Sequence, residues 1–223
     1  MMTLEKDGIV HVLTMRNGEN TIDLDFLASL NEKLDAVEAE ADGAAALVLT
    51  GEGKFFSNGL NLDFLMSASD DRRREFGATM LATMRRLILF PVPVVAALNG
   101  HAFAAGCFVA LACDVRIQRE DRGWICVSEV DVGVPIGSSM MGLLKGKLAP
   151  RIARDACLTG KRYDADAAIA AGFCEAKAPA DELVGRAIEI AAGLGTKERG
   201  IFKTIKAQLY QEIADGFLPE NAS

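Results

Sequence analysis

Two segments of this chain have the make-up of an anion-stabilising turn. Phe55-Phe56-Ser57-Asn58-Gly59-Leu60-Asn61-Leu62 and Asn99-Gly100-His101-Ala102-Phe103-Ala104-Ala105-Gly106-Cys107 each follow an apolar, strand-like run and lead into a helix-like one. A buried strand that gives way to small residues at a helix start leaves backbone N–H donors without intrahelical acceptors. Two such donors aimed at one point would hold a developing negative oxygen. Because the groups are backbone amides, the side chains that carry them can be apolar. Small residues at strand-to-helix turns also permit close packing, so either segment alone has a purely structural explanation.

A third segment, Ser128-Glu129-Val130-Asp131-Val132-Gly133, places carboxylates among valines. Glu129 follows the strand-like Trp124 to Val127 and has Val127, Val130, Val132 and Val134 around it. Burial raises a carboxyl pKa toward working pH, which suits a general base. Asp131 is the rival, because in an extended segment residues two apart share a face. It also reads as a cap or turn acid before Gly133. His101 stands alone between small residues with no neighbouring nucleophile, the setting of a hydrogen-bonded loop histidine rather than a catalyst. Asn61 and Asp63 read as helix caps. Met66, Met80 and Met84 suit either an adaptable apolar pocket or core filling. Lys54, Lys203 and Lys206 suit either phosphate groups or a solvated surface.

The elements that must position these residues alternate. Ile9 to Thr14 has strand composition, and Leu24, Leu27, Leu30, Leu34 and Val37 recur at helical spacing after a cap at Asp23. Ala44 to Thr50 reads as a buried strand. After the first turn, Phe76, Met80, Met84, Leu87 and Ile88 mark a helix that ends before Pro91. Val94 to Leu98 is a short apolar strand, followed by the second turn and a helix from about Ala104 to Cys113. Asp114 to Ile117 and Trp124 to Val127 are strand-like, separated by the turn Glu120-Asp121-Arg122-Gly123. This alternation predicts an α/β architecture with crossover units. Beyond Pro135 the stretches 140–148, 152–158, 165–171, 183–194 and 201–213 all favour helix, so a helical C-terminal third is expected. Its last stripe, Ile201, Ile205, Leu209 and Ile213, would pack on its own subunit or on a neighbour.

The chain has 223 residues, half of them hydrophobic, enough for one full core. A net charge of −7 argues against a nucleic-acid partner. Arg72-Arg73-Arg74 is flanked by Asp70, Asp71 and Glu75 and reads as a self-compensating helix start. Cys107, Cys113, Cys126, Cys157 and Cys174 are odd in number, sit in apolar contexts and lack metal-site spacing, so reduced core thiols and no metal are expected. With no signal-like start and no membrane-spanning run, a cytoplasmic location and no membrane partner are expected.

The spacing of the two turns, the Asn99-Gly100-His101-Ala102 start of the second and the Ser128-Glu129-Val130-Asp131 segment resemble the crotonase superfamily, the enoyl-CoA hydratases and isomerases. The resemblance implies a crotonase-like ββα superhelix, with an α/β core over 1–149 and a C-terminal helical region over 150–223 that serves oligomerisation and covers the active site. It implies oxyanion donors at the Leu60 and Ala105 amides, a catalytic Glu129, and Ser57, Asn58, Gly59, Gly106, Phe108 and Lys54 in contact with an acyl-CoA substrate. Coenzyme A would enter as part of the substrate and no other cofactor is implied; the assembly would be a homotrimer or homohexamer. Hydratases of the family carry a second glutamate where this chain has Phe108. The sequence therefore looks most similar to the enoyl-CoA isomerase kind, including a plant peroxisomal group, and predicts a shift of a 3-enoyl-CoA double bond to the 2-position. A hydratase or other lyase that uses Glu129 alone, and a non-catalytic acyl-CoA binder, are the alternatives.

Overall fold

The computed structural model describes residues 2–40 and 43–219. Met1 and the tail Glu220-Asn221-Ala222-Ser223, in which no targeting address is expected, lie outside the described residues. Strands β1 (Met2–Asp7) and β2 (Val10–Met15) pair antiparallel around Gly8, whose φ of 58° is the left-handed conformation a glycine tolerates. Helix α1 (Leu24–Glu40) then buries Leu27, Leu30, Leu34 and Val37, and Asp23 caps it by accepting the Phe26 N–H at 2.9 Å.

A unit of long strand, short strand and helix now repeats three times. The first is β3 (Ala46–Gly51), β4 (Phe55–Ser57), α2 (Leu62–Ser67) and α3 (Asp70–Ile88). The second is β5 (Val94–Leu98), β6 (His101–Phe103) and α4 (Ala105–Ala112), and the third β7 (Val115–Arg119), β8 (Ile125–Cys126) and α5 (Glu129–Val132). Long strands enter a six-stranded sheet of order β1-β2-β3-β5-β7-β9, short strands a three-stranded sheet of order β4-β6-β8. After the first hairpin every strand pair is parallel.

All residues of β3 and β5 are buried, as their unbroken apolar runs require of a sheet covered on both faces. Alternate side chains divide between two cores. Leu47, Leu49, Val94, Ala96 and Leu98 face the large core with α1, α3 and α4, and Val48, Val95 and Ala97 face a smaller one. The helix start at Ser69 is self-compensating, with Arg73 on Asp70 at 2.6 Å and Arg74 on Asp71.

The chain continues through α6 (Ser138–Lys147), α7 (Pro150–Thr159), α8 (Ala165–Ala171), β9 (Ala176–Ala178), α9 (Leu183–Gly195) and α10 (Arg199–Asp215). The expected helical C-terminal third is present in α6 to α10, with one short strand set into it. β9 pairs with β7 and extends the main sheet, and Leu183, Ala187 and Ala191 of α9 close the smaller core. A three-residue Ala-Lys-Ala strand has no periodicity to reveal it. On α10, Ile201, Ile205 and Leu209 are exposed, while Ile213 reaches the backbone of α6 at Gly146. The stripe therefore faces outward except at its last residue. Among the described residues no helix is long and apolar enough to cross a membrane. All five cysteines are free thiols, four of them buried.

Candidate active site

After β4 the chain turns under tight control. Ser57 Oγ donates to Asn20 O at 2.7 Å, and Asn58 N and Nδ2 donate to Glu19 O and Oε2 at 2.9 and 2.6 Å. Gly59 then adopts a φ of 91°, and its carbonyl accepts Ile22 N at 2.8 Å while Asn61 N donates to Ile22 O at 2.9 Å. Successive amides of an extended chain point to opposite sides, so the Leu60 N–H between these two bonds points away from Ile22. Asn61 caps α2 as expected, accepting Phe64 N at 3.0 Å, and donates to Asp23 at 2.8 Å. Asp63 lies in the first turn of that helix instead of capping it.

The second turn passes through Ala104 at φ 47° and ψ −122°, a strained conformation for a residue with a Cβ. That twist lets Ala104 O accept both Cys107 N at 2.9 Å and Phe108 N at 3.2 Å, so α4 begins at Ala105 with no side-chain cap. The first N–H of a helix has no intrahelical acceptor. Among the described residues none of the backbone acceptors outside the regular elements takes the Leu60 or the Ala105 N–H.

The two turns interlock where side chains are missing. A Cβ on Gly59 would lie 3.1 Å from Ala104 Cβ and 3.4 Å from Ala105 N, and one on Gly106 would overlap Ser57 O. Ser57, Gly59 and Gly106 thus form the frame behind the wall. Asn58, Leu60, Ala105, Phe108 and Glu129 line a cavity of about 920 Å³. Lys54 is exposed, with its Nζ 5.2 Å from the Phe55 ring centroid and outside that lining.

Glu129 opens α5, a single turn in which Asp131 N and Val132 N bond back to Ser128 O at 3.0 and 3.2 Å and Gly133 closes at φ 71°. The expected extended geometry is corrected here. In a helix residues two apart diverge by about 200°, so Glu129 and Asp131 do not share a face. Glu129 is 8% exposed, and among the described residues its buried Oε2 has no hydrogen-bond partner. Asp131 is exposed, leans against Gly160 and reaches the same cavity at its rim. Burial pushes the Glu129 carboxyl up, partly offset by its own backbone N–H.

This shift makes a stability prediction. A carboxyl with a raised folded pKa binds its proton more tightly in the native state. Its contribution is full below the unfolded value, about 4.3 for glutamate, and is lost as pH rises through the folded one. Glu129→Gln is therefore expected to melt at a higher temperature than the unmodified protein at neutral pH, with the gap closing below about pH 4. A less stable variant at neutral pH would show that the carboxylate gains more from its surroundings than burial takes away.

The other polar candidates are structural. His101 Nδ1 accepts Trp124 N at 3.3 Å and its ring lies 4.9 Å from Phe103 and 5.0 Å from Trp124. Of the three methionines, Met80 lines the cavity, Met84 is in the core and Met66 is exposed. Lys206 is not available to a phosphate. It is buried and donates to Asp114 Oδ2 at 2.7 Å, an acid that also accepts Val94 N. Lys203 is exposed on α10. Arg162, unremarked in the sequence, reaches the cavity wall and lies 5.6 and 5.4 Å from the ring centroids of Phe103 and Trp124. It comes from the loop before α8, and no local pattern marks it. Among the described residues no cluster of His, Cys, Asp and Glu is arranged to hold a metal ion.

Repeated ββα turns in two sheets define a crotonase-type fold, in which two uncommitted amides and a buried carboxylate line one cavity. The family model described as enoyl-CoA hydratase/isomerase matches residues 5–220. Enoyl-CoA delta isomerase 3 of Arabidopsis thaliana is 33% identical over 96% of this chain and 93% of its own length. Enoyl-CoA delta isomerase 2, peroxisomal, of the same plant is 30% identical over 96% and 93%. A crystal structure of an enoyl-CoA hydratase from Mycobacterium ulcerans superposes with a TM-score of 0.90 at 28% identity, covering 97% of this chain and 94% of that one. The chain belongs to the enoyl-CoA hydratase/isomerase family.

Proposed function

We propose that the protein is a 3-enoyl-CoA to 2-enoyl-CoA isomerase. The observation that carries this reading is Glu129, a buried carboxyl with an unpartnered Oε2, set on the cavity wall with Phe108 and the Leu60 and Ala105 amides. The carboxylate takes a proton from C2, next to the thioester carbonyl. Electrons move onto the oxygen, where two N–H donors hold the dienolate. The protonated Glu129 returns its proton at C4, and the double bond ends between C2 and C3. Oxidation state is unchanged, so coenzyme A enters only as the substrate's carrier. Membership in the family supports a homotrimer or homohexamer with the outward stripe of α10 in its contacts. A cytoplasmic location is part of the same proposal; one relative of similar identity is named peroxisomal.

Hydration is the second reading, and Asp131 favours it: it is a second carboxylate on the same cavity, able to help position a water molecule. Phe108, buried at 2% exposure, can do neither that nor deprotonate one. The expected result is that a 3-enoyl-CoA is isomerised while a 2-enoyl-CoA in ¹⁸O-labelled water yields little labelled 3-hydroxyacyl product. Hydration as fast as isomerisation would overturn the assignment.

A further inference from the structure

We propose that Gly77 sets the acyl range of the cavity, and that the substrates are thioesters of chains long enough to run between α3 and α6. The inference rests on the acyl-CoA reading above. Gly77 lies inside the 19-residue helix α3, where a glycine destabilises relative to alanine by leaving the backbone freer in the unfolded chain. Elsewhere in the helices a close approach often explains the missing side chain. Gly106 meets Ser57 O, Gly146 meets Ile213, and Gly195 meets the carbonyl of Ala45. At Gly77 nothing comes near: among the described residues, a Cβ there would find no atom within 4 Å beyond its own helix backbone and chain neighbours.

Gly142, Gly185 and Gly193 are also open, but they lie outside the cavity wall. Gly137 is open and on the wall but precedes α6 as its N-cap, whereas Gly77 is on the wall inside a helix. The wall includes an apolar set: Phe76, Met80 and Leu81 from α3 beside Gly77, Phe108 from α4, Ile136 from the loop before α6 and Met140 from α6. No charged side chain stands among these six. The polar lining comes from other elements: Glu19, Asn58 and Asp63 lie at or near the first turn, Glu129 and Asp131 on α5, and Arg162 in the loop before α8. The volume of about 920 Å³ belongs to the whole cavity, the thioester end near Glu129 and the apolar part together, and lies at the upper end for a small-molecule site. A side chain at position 77 would project into this apolar lobe and shorten it.

The test measures binding of two saturated ligands, hexanoyl-CoA and dodecanoyl-CoA, which need no turnover. Each buried methylene is worth about fourfold in affinity, so the unmodified protein is expected to hold dodecanoyl-CoA well above hexanoyl-CoA. Gly77→Leu, displacing about three methylenes, is expected to weaken dodecanoyl-CoA by roughly 50-fold and hexanoyl-CoA by less than about threefold. Gly77→Ala, a milder change that also favours helix, is expected to weaken dodecanoyl-CoA by about fourfold, which guards against a leucine variant that misfolds. Equal loss for both ligands, or no loss for either, would overturn the role of Gly77. If the chain-length effect holds but no 3-enoyl-CoA is turned over, the isomerase reading fails and the acyl lobe stands. If neither ligand binds the unmodified protein, both fall.

Discussion

Glu129→Gln is expected to lower turnover of a 3-enoyl-CoA by roughly 100- to 10,000-fold, the usual worth of a positioned general base. Glutamine keeps the shape and the burial of the side chain but cannot accept the C2 proton. The loss is expected in kcat and kcat/KM alike, with little change in KM, because the missing interaction forms as the proton moves. Among the described residues no group donates to Glu129 Oε2, so the substitution strands no donor of another residue. Near-normal turnover would transfer the role to another carboxylate of the cavity, Asp131 first among them.

Gly106→Ala is expected to cost about as much as losing one oxyanion donor, roughly 100- to 1,000-fold in turnover. Its new Cβ would overlap Ser57 O, so the two turns must separate and the Leu60 and Ala105 amides can no longer meet at one oxygen. General unfolding is a competing explanation, and two comparisons remove it. Gly185→Ala adds the same methyl inside a helix with nothing within 4 Å and outside the cavity, and is expected to keep activity. In binding measurements, Gly106→Ala is expected to weaken an acyl-CoA thioester more than the thioether analogue whose carbonyl is a methylene. Equal weakening of the two would mean that the turns do not grip the thioester oxygen.

Both amide-bearing turns were legible in the sequence because their signal is local: an apolar run, then small residues, then a helical stripe. The buried stripe of α1 and its Asp23 cap are of the same kind. Glu129 was legible as a carboxylate among valines, but not its setting. A four-residue helix is too short for periodicity, so the sequence reads as extended where the chain makes a helical turn, and Asp131 reaches the cavity from a different direction than an extended segment implies. Which strands join which sheet is a matter of partners far apart in the chain; β7, for example, lies between β5 and β9. Lys206 failed for the same reason. A lysine in a helix looks solvated until Asp114, ninety-two positions away, is found beside it in the core. Gly77 carries no motif, because empty space in front of a glycine is a property of three helices at once.

The most direct test of the account is a crystal structure with a non-reactive acyl-CoA thioester bound. The thioester oxygen is expected within about 2.7–3.1 Å of both the Leu60 and Ala105 nitrogens, with the Glu129 carboxyl facing C2. An oxygen that meets neither amide, or a C2 that faces a group other than Glu129, would contradict it.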